Sequence, residues 1–347
     1  MTDCIIRKEG KVGRITLDRP QALNAMTYDM CLAIDAALIR WADDPDVAMV
    51  ILDAVGEKAF CAGGDIAEMY ATGIAGDYAY GRRFWRDEYR MNARLFTFPK
   101  PVASFLQGFT MGGGVGIGCH ASHRVVGDTS RIAMPECTIG LVPDVGGSLI
   151  LAQAPGRLGE YLGLTGDRMA AGDAIHCCFA DYYIPEEAWP DLIAALTLTG
   201  DWTLIDAAAQ PAPDSRLAGW QSEIDKVFGG ERLGDIYRAV PDSPSEPIAH
   251  ALRLMSRNAP LAMAVGLEII RRVRQRATIE NALDQEFRFT FRAMQHGDFL
   301  EGIRAAIIDK DRKPKWRHAD WQALRGADVL RMTLPLGKDA FTLEDRT

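Results

Sequence analysis

Short apolar runs alternate with helical patterns along the first 180 residues, and this alternation limits the fold more than any other feature of the chain. Residues 47–52 form a continuous apolar run, typical of a strand buried on both faces, and residues 102–106 repeat the pattern. Helical patterns lie between such runs, the first beginning at Thr27, a residue type that caps helices. The alternation predicts an α/β layer architecture.

Past residue 185 the pattern changes. Proline and serine cluster at residues 210–215 and 241–247, and helical patterns dominate the remainder. Pro260 is typical of a helix start, while Thr278 and Gly297 bracket a long amphipathic pattern as its cap and stop. We therefore predict an α/β body over residues 1–195 and a mostly helical C-terminal region over residues 196–347.

The composition restricts the class of partner. A net charge of −8 without a basic run argues against nucleic acid and against an anionic membrane surface. The apolar stretches are too short to span a bilayer. Seven cysteines without a C-x-x-C pair indicate reduced thiols. A strand-like pattern begins at Cys4, so we expect no targeting segment and a cytoplasmic location.

Several chemistries lack a convincing motif. The sequence has no G-x-S-x-G elbow, no Walker loop and no H-E-x-x-H pair. His120 and His123 would fit neighbouring turns of a helix, but no third ligand is evident nearby, and no metal site is predicted. Residues 116–121 match a loose G-x-G-x-x-A pattern, but Gly112–Gly114 already occupy the turn where the first glycine of a dinucleotide site belongs.

Two glycine loops, at residues 63–64 and 112–114, each lie between an apolar run and a helical pattern. Amides at the start of a helix are unpaired, and glycine lets a ligand approach the backbone closely. Two such amides directed at one point would form an oxyanion hole for acyl transfer. The alternative is that these glycines only allow a helix to pack closely on a strand, and the loops themselves leave both readings open.

Two carboxylates follow, each directly after a proline. Glu136 follows Pro135, and Asp144 follows Pro143, where a further helix is expected to begin. An acid among apolar residues is costly to bury unless it is paired or functional. Either acid alone is more typical of a helix cap. Together, after two glycine loops, they indicate an acid/base pair.

These segments resemble those of a known family. Residues 59–66 (AFCAGGDI) and 108–116 (GFTMGGGVG) resemble the two oxyanion-hole segments of the crotonase (enoyl-CoA hydratase/isomerase) superfamily. Residues 134–147 (MPECTIGLVPDVGG) resemble the signature of the 3-hydroxyisobutyryl-CoA hydrolase family within it, and residues 298–305 and 309–316 resemble the end of that family. The resemblance covers most of the chain, is weak between about residues 185 and 245, and implies a ββα spiral with a helical C-terminal region.

The resemblance also implies roles for individual residues. The amides of Gly64 and Gly113 would hold the thioester oxygen, Glu136 would attack the thioester or activate water, and Asp144 would be the second acid of the site. The substrate-binding residues that it implies further, in contact with the acyl group or with coenzyme A, are Glu88, Ala22, Asn24, Ala62 and Asp65.

One departure separates the activities of the superfamily. A hydratase carries a second glutamate shortly after the glycine triplet, where this chain has Gly116, a residue that cannot move protons. We therefore predict hydrolysis of a short-chain 3-hydroxyacyl-CoA, foremost 3-hydroxyisobutyryl-CoA in valine breakdown. The alternatives are another crotonase reaction, such as hydration or isomerisation, and an acyl-CoA-binding protein without turnover. No cofactor is expected, because coenzyme A is part of the substrate, and the resemblance implies a homo-oligomer.

Overall fold

The computed structural model describes residues 3–343, which divide into two compact units. The first unit comprises residues up to 65, 90–133 and 168–216, and the second comprises residues 66–89, 134–167 and those from 217 onward. Each unit is thus assembled from segments that are distant in sequence. The sequence predicts a different kind of division, into two continuous regions, 1–195 and 196–347, and this division stays a prediction.

All strands of the described residues lie in the first unit. They are β1 (Cys4–Glu9), β2 (Val12–Leu17), β3 (Met49–Ala54), β4 (Ala59–Cys61), β5 (Val102–Phe105), β6 (Phe109–Met111), β7 (His123–Val126), β8 (Arg131–Ala133) and β9 (Tyr182–Tyr183). One sheet has the order β1-β2-β3-β5-β7-β9, and the other has the order β4-β6-β8. Every pairing is parallel except the β1–β2 hairpin.

The parallel pairing explains the continuous apolar runs. The first five residues of β3 and all four of β5 are buried, because parallel strands are covered on both faces. The strands predicted at residues 47–52 and 102–106 are therefore confirmed, the first shifted by two residues. His120 and His123 do not share a helix: His120 lies in a turn, and His123 begins β7.

The helices run along the whole described chain. They are α1 (Tyr28–Ala42), α2 (Ala67–Ile74), α3 (Ala79–Phe96), α4 (Gly113–Gly118), α5 (Gly147–Gln153), α6 (Leu158–Thr165), α7 (Ala171–His176), α8 (Trp189–Thr199), α9 (Thr203–Ala208), α10 (Arg216–Val227), α11 (Leu233–Ala239), α12 (Glu246–Met255), α13 (Pro260–Gln275), α14 (Ile279–His296), α15 (Phe299–Ile303) and α16 (Gly326–Thr333). Within residues 3–343, none of them is both long enough and apolar enough to cross a bilayer.

Helices α13 and α14 form much of the interior of the second unit, and both begin where the sequence predicts. Pro260 is the first residue of α13, and its apolar face is buried along its length. The side chain of Thr278 caps α14 by accepting a hydrogen bond from the amide of Asn281 at 3.3 Å, and Gly297 follows its last residue. These predicted boundaries are confirmed, and α14 brings one further acid, Glu286, into the interior.

Candidate active site

Four of the carboxyl side chains that are buried in the second unit repel one another. Glu88, Glu136, Asp144 and Glu286 are each at most 5% exposed. Burial raises the pKa of all four, and repulsion by Asp144 raises the pKa of Glu88 and Glu136 further. The structure therefore brings together the three acids that the resemblance assigns to the site, Glu88, Glu136 and Asp144, and adds Glu286 to them. A carboxyl group with a raised pKa is a stronger base than an exposed one, which suits it to acid/base catalysis.

Glu136 opens a short 3-10 helix, Glu136–Ile139, directly after Pro135. The turn closes at Gly140, which has a φ of +74° and lies so close to the backbone of Asp298 that a Cβ would approach it to 2.6 Å. Only glycine fits there, and the turn is fixed. Within residues 3–343, atom Oε2 of Glu136 is buried without a hydrogen-bond partner. A buried carboxylate oxygen without a donor is costly and is a candidate to act on a bound substrate.

Asp144 lies in a strained turn. The helix expected from Pro143 begins only at Gly147, because Val145 and Gly146 have φ values of +53° and +79°. A β-branched residue in the left-handed region costs about 1–3 kcal/mol, so the surrounding structure must hold this conformation. Such strain is typical of loops that direct a functional side chain.

The carboxylate of Asp144 accepts a hydrogen bond from the hydroxyl of Tyr89 at 2.9 Å. Burial raises the pKa of Asp144 to about 7, and the bond from Tyr89 acts in the opposite direction. The ring of Tyr89 packs edge-on against Phe287 and Phe341, with centroids 6.1 and 6.0 Å away. These contacts fix the direction from which the hydroxyl reaches Asp144.

Glu286 holds the turn that follows Asp144. Its carboxylate accepts hydrogen bonds from the amide of Gly146 at 2.8 Å and from the amide of Ser148 at 3.1 Å, and also from the Ser148 hydroxyl. Burial raises the pKa of Glu286 to about 8, whereas these hydrogen bonds favour its ionised form.

The sequence interpretation missed both Glu286 and Tyr89. One signal for Glu286 was present, since it lies between Leu283 and Phe287 on the apolar face of α14, where an acid is costly. Tyr89 carries no such signal, because a tyrosine within an amphipathic helix is an ordinary core residue.

In the first unit, the amide of Gly64 points away from the segment that pairs with it. The amide of Met26 donates to the carbonyl of Gly63, and the amide of Asp65 donates to the carbonyl of Met26, both at 2.8 Å. In this parallel bridge the intervening residue directs its own amide to the opposite side. Among residues 3–343 no hydrogen bond from the Gly64 amide is found, and this amide can serve as an oxyanion donor.

Gly113 is the first residue of α4, directly after Gly112, whose φ of +51° turns the chain into the helix. The amide at this position has no partner within the helix and none is found elsewhere in the described residues. Gly114 has a different role, because a Cβ there would lie 2.1 Å from the carbonyl oxygen of Cys61. The two residues of the loop thus differ: Gly114 allows close packing, whereas Gly113 has an unpaired amide among the described residues, and its role as an oxyanion donor stays a prediction.

The residues assigned to coenzyme A lie in the first unit. Asn24 is buried, and its side chain accepts from the amide of Arg19 and donates to the carbonyls of Val55 and Ala59. Asp65 accepts from the guanidinium of Arg19 at 2.8 Å. These two side chains therefore fix the shape of the loop over residues 19–25. Direct contact between coenzyme A and Asn24 or Asp65 stays a prediction.

Two alanines assigned to coenzyme A, Ala22 and Ala62, are partly exposed. The amide of Ala62 donates to the carbonyl of Leu23 at 3.0 Å, which ties the second glycine-containing segment to the same loop. The first unit thus contains Gly64, Gly113, Ala22, Asn24, Ala62 and Asp65.

The fold and the buried acids define an enzyme of the crotonase superfamily. A family model described as enoyl-CoA hydratase/isomerase matches residues 12–332, and the chain belongs to this family. The predicted family and fold are confirmed.

Curated relatives that are similar over most of the chain include proteins named as hydrolases. The mitochondrial 3-hydroxyisobutyryl-CoA hydrolase of Gallus gallus is 32% identical, over 98% of this chain and 91% of that protein. The enzyme of the same name from Xenopus tropicalis is 35% identical, over 90% and 84%.

Solved structures with the same fold include an enoyl-CoA hydratase from Rhodobacter sphaeroides 2.4.1, 56% identical, with a TM-score of 0.95 over 98% of this chain and all of that one. A carnitinyl-CoA dehydratase from Mycobacterium thermoresistibile is 38% identical, with a TM-score of 0.94 over the full length of both chains.

Proposed function

We propose that this enzyme hydrolyses the thioester of a short-chain 3-hydroxyacyl-CoA, with 3-hydroxyisobutyryl-CoA as its substrate and 3-hydroxyisobutyrate and coenzyme A as products. The observation that carries the proposal is Glu136, a buried carboxylate with one oxygen left without a partner in the described residues. The hydrolase relatives, similar over most of their length, support it. So does Gly116, which supplies no second carboxylate beside the glycine triplet.

The proposed reaction begins at the thioester carbonyl, which is attacked either by Glu136 or by a water that Glu136 deprotonates. The raised pKa of Glu136 makes its carboxylate a stronger base than that of an exposed glutamate. The amides of Gly64 and Gly113 stabilise the negative charge that develops on the carbonyl oxygen. The carbon–sulfur bond then breaks, and coenzyme A leaves as a thiolate that takes up a proton. If Glu136 is the nucleophile, water then hydrolyses the anhydride formed on it and frees both the product acid and Glu136. By either route, one water is consumed for each acid and thiol formed.

Asp144 is proposed to bind the 3-hydroxyl of the substrate. A site built to bond a hydroxyl rejects the analogue that lacks it, because its own polar group is then left unpaired. Hydrolysis of 3-hydroxyisobutyryl-CoA should therefore exceed that of isobutyryl-CoA by about 10²-fold or more in kcat/KM.

The test of this role measures kcat/KM on both substrates for the wild type and for Asp144→Ala. The variant should narrow the preference for the hydroxylated substrate as well as lower the rate. Asp167→Ala is the matched control, since Asp167 is a buried acid of the same unit that accepts from Tyr161 instead. An equal loss on both substrates in Asp144→Ala would show that Asp144 does not read the hydroxyl.

A second candidate is hydration of an enoyl-CoA, favoured by the name of the 56% identical Rhodobacter sphaeroides structure. The absence of a carboxylate at Gly116 argues against it. We expect crotonyl-CoA to keep its enone absorbance under conditions where thioester hydrolysis is complete. Loss of that absorbance at a comparable rate would replace the hydrolase proposal by a hydratase.

The proposal includes three further points that rest on the sequence alone. We propose a cytoplasmic location, a place in valine breakdown and turnover without an added cofactor. Dialysis against a chelator should therefore leave hydrolysis unchanged. An acyl-CoA-binding protein without turnover would instead bind the thioester and release no thiol.

A further inference from the structure

Two neighbours act on Asp144, one at its side chain and one through the turn that follows it. Tyr89 donates to its carboxylate, whereas Glu286 bonds to the amides of Gly146 and Ser148, the residues that follow it. The second contact spans 140 residues of sequence and joins the middle of α14 to the start of α5. Because Glu286 is completely buried, its carboxyl oxygens accept from these donors and from the Ser148 hydroxyl.

The backbone between Asp144 and Gly147 would not adopt its conformation unaided. Val145 has a φ of +53°, a region that β-branched residues avoid. Released from Glu286, the turn is free to relax toward an ordinary helical start at Pro143, which rotates the Cα–Cβ bond of Asp144. A small rotation of this kind is enough to misplace a catalytic group.

We propose that Glu286 is a positioning residue, which keeps the carboxylate of Asp144 in its working direction by holding the 145–148 turn. The inference rests on the proposed role of Asp144 in the reaction. Glu286 itself is not proposed to touch the substrate. Its carboxylate suits this task because one oxygen accepts from Gly146 and the other accepts from both donors of Ser148.

The first test is Glu286→Gln, in which an amide group replaces one acceptor oxygen and faces at least one of these donors. We expect kcat to fall by about tenfold or more with a change in KM of less than about threefold, and the preference for the hydroxylated substrate to narrow. Ser148→Ala removes only the hydroxyl donor. Ser148→Ala should also lower kcat and narrow the preference for the hydroxylated substrate, but by a smaller factor. It serves in place of Glu286→Gln if that variant does not fold.

The matched control is Glu160→Gln. Glu160 is also a completely buried glutamate of the second unit, but it pairs with Arg274 at 2.6 and 2.9 Å instead of bonding to the turn. It should lower the melting temperature while leaving kcat and substrate preference of the folded enzyme unchanged.

A double-mutant cycle separates positioning from general destabilisation. If Glu286 acts through Asp144, then Glu286→Gln should change kcat by less than about twofold in an Asp144→Asn background. Two results would overturn the inference. One is a double variant whose fold-reduction in kcat equals the product of the two single reductions, and the other is a folded Glu286→Gln enzyme with the wild-type kcat and the wild-type substrate preference.

Failure of the proposed function looks different. If the wild type hydrolyses no thioester but catalyses another acyl-CoA reaction, the hydrolase proposal fails, and the same cycle is run on that reaction with the same two outcomes. If the wild type turns over no acyl-CoA, both proposals fail together. Wild-type hydrolysis with a fully multiplicative cycle rejects the role of Glu286 alone.

Discussion

Tyr89→Phe removes one hydroxyl and leaves the ring, so it removes the hydrogen bond to Asp144 together with a longer one, of 3.5 Å, to the hydroxyl of Thr290. The ring can keep its edge-on contacts with Phe287 and Phe341, and little packing energy should be lost. The bond is 2.9 Å long, and both partners are at most 4% exposed. A hydrogen bond to a charged group contributes about 1.5–3 kcal/mol, so kcat/KM should fall by about tenfold to 150-fold if the bond is fully needed in the transition state.

The pH dependence of Tyr89→Phe has a definite sign. The hydroxyl stabilises the ionised form of Asp144 and holds its pKa down, against burial that raises it to about 7. Without the hydroxyl the pKa of Asp144 rises. The limb of the rate profile that needs ionised Asp144 should therefore move to higher pH.

The assay follows thiol release from 3-hydroxyisobutyryl-CoA between pH 5 and 9. Tyr161→Phe is the control, because Tyr161 is also fully buried and donates to a buried aspartate, Asp167, at 2.6 Å. It should keep the wild-type rate and profile. If a folded Tyr89→Phe enzyme kept the wild-type rate and the wild-type pH profile, Tyr89 would not control the ionisation of Asp144.

Further predictions concern the glycine loop and the stability of the buried acid. Gly113→Val should lower turnover per folded molecule by about 10² or more by shielding the oxyanion amide, whereas Gly114→Ala, whose Cβ would lie 2.1 Å from the Cys61 carbonyl oxygen, should lower the free energy of unfolding by about 1–3 kcal/mol. Equal melting temperatures for the two variants would contradict this division. The next prediction concerns the melting temperature of Asp144→Asn minus that of the wild type, which should be larger at pH 8 than at pH 5. The folded-state pKa of Asp144 is about 7 and its ordinary value is 3.8, so the wild type loses stability as pH rises between them. Thermal melts at the two pH values decide, and a pH-independent difference counts against a raised pKa.

The sequence predicts those parts of the fold that depend on local patterns. Buried parallel strands require continuous apolar runs, and β3 and β5 were predicted on that basis. Helix α14 was predicted because a cap and a stop, Thr278 and Gly297, lie next to its ends in sequence.

Contacts between distant segments could not be predicted in this way. Glu286 meets Gly146 across 140 residues, and Tyr89 meets Asp144 across 55. The strain at Val145 is equally invisible, because valine by itself favours an extended backbone and only its surroundings impose a positive φ. The roles of Gly113 and Gly114 could be separated only once the carbonyl of Cys61 was placed beside one of them.

The central claim is that Glu136 delivers the attack on a thioester, and Glu136→Gln tests it most directly. The amide of glutamine has nearly the same shape as the carboxylate, so folding and coenzyme A affinity should persist. The amide can act neither as nucleophile nor as base, so thioester cleavage should be lost. The measurement compares thiol release from 3-hydroxyisobutyryl-CoA by wild type and variant, with the melting temperature and coenzyme A binding of each recorded alongside. We expect rapid release by the wild type and a loss of about 10²–10⁴ or more in the rate of the variant. Release at the wild-type rate by a folded Glu136→Gln protein would contradict it.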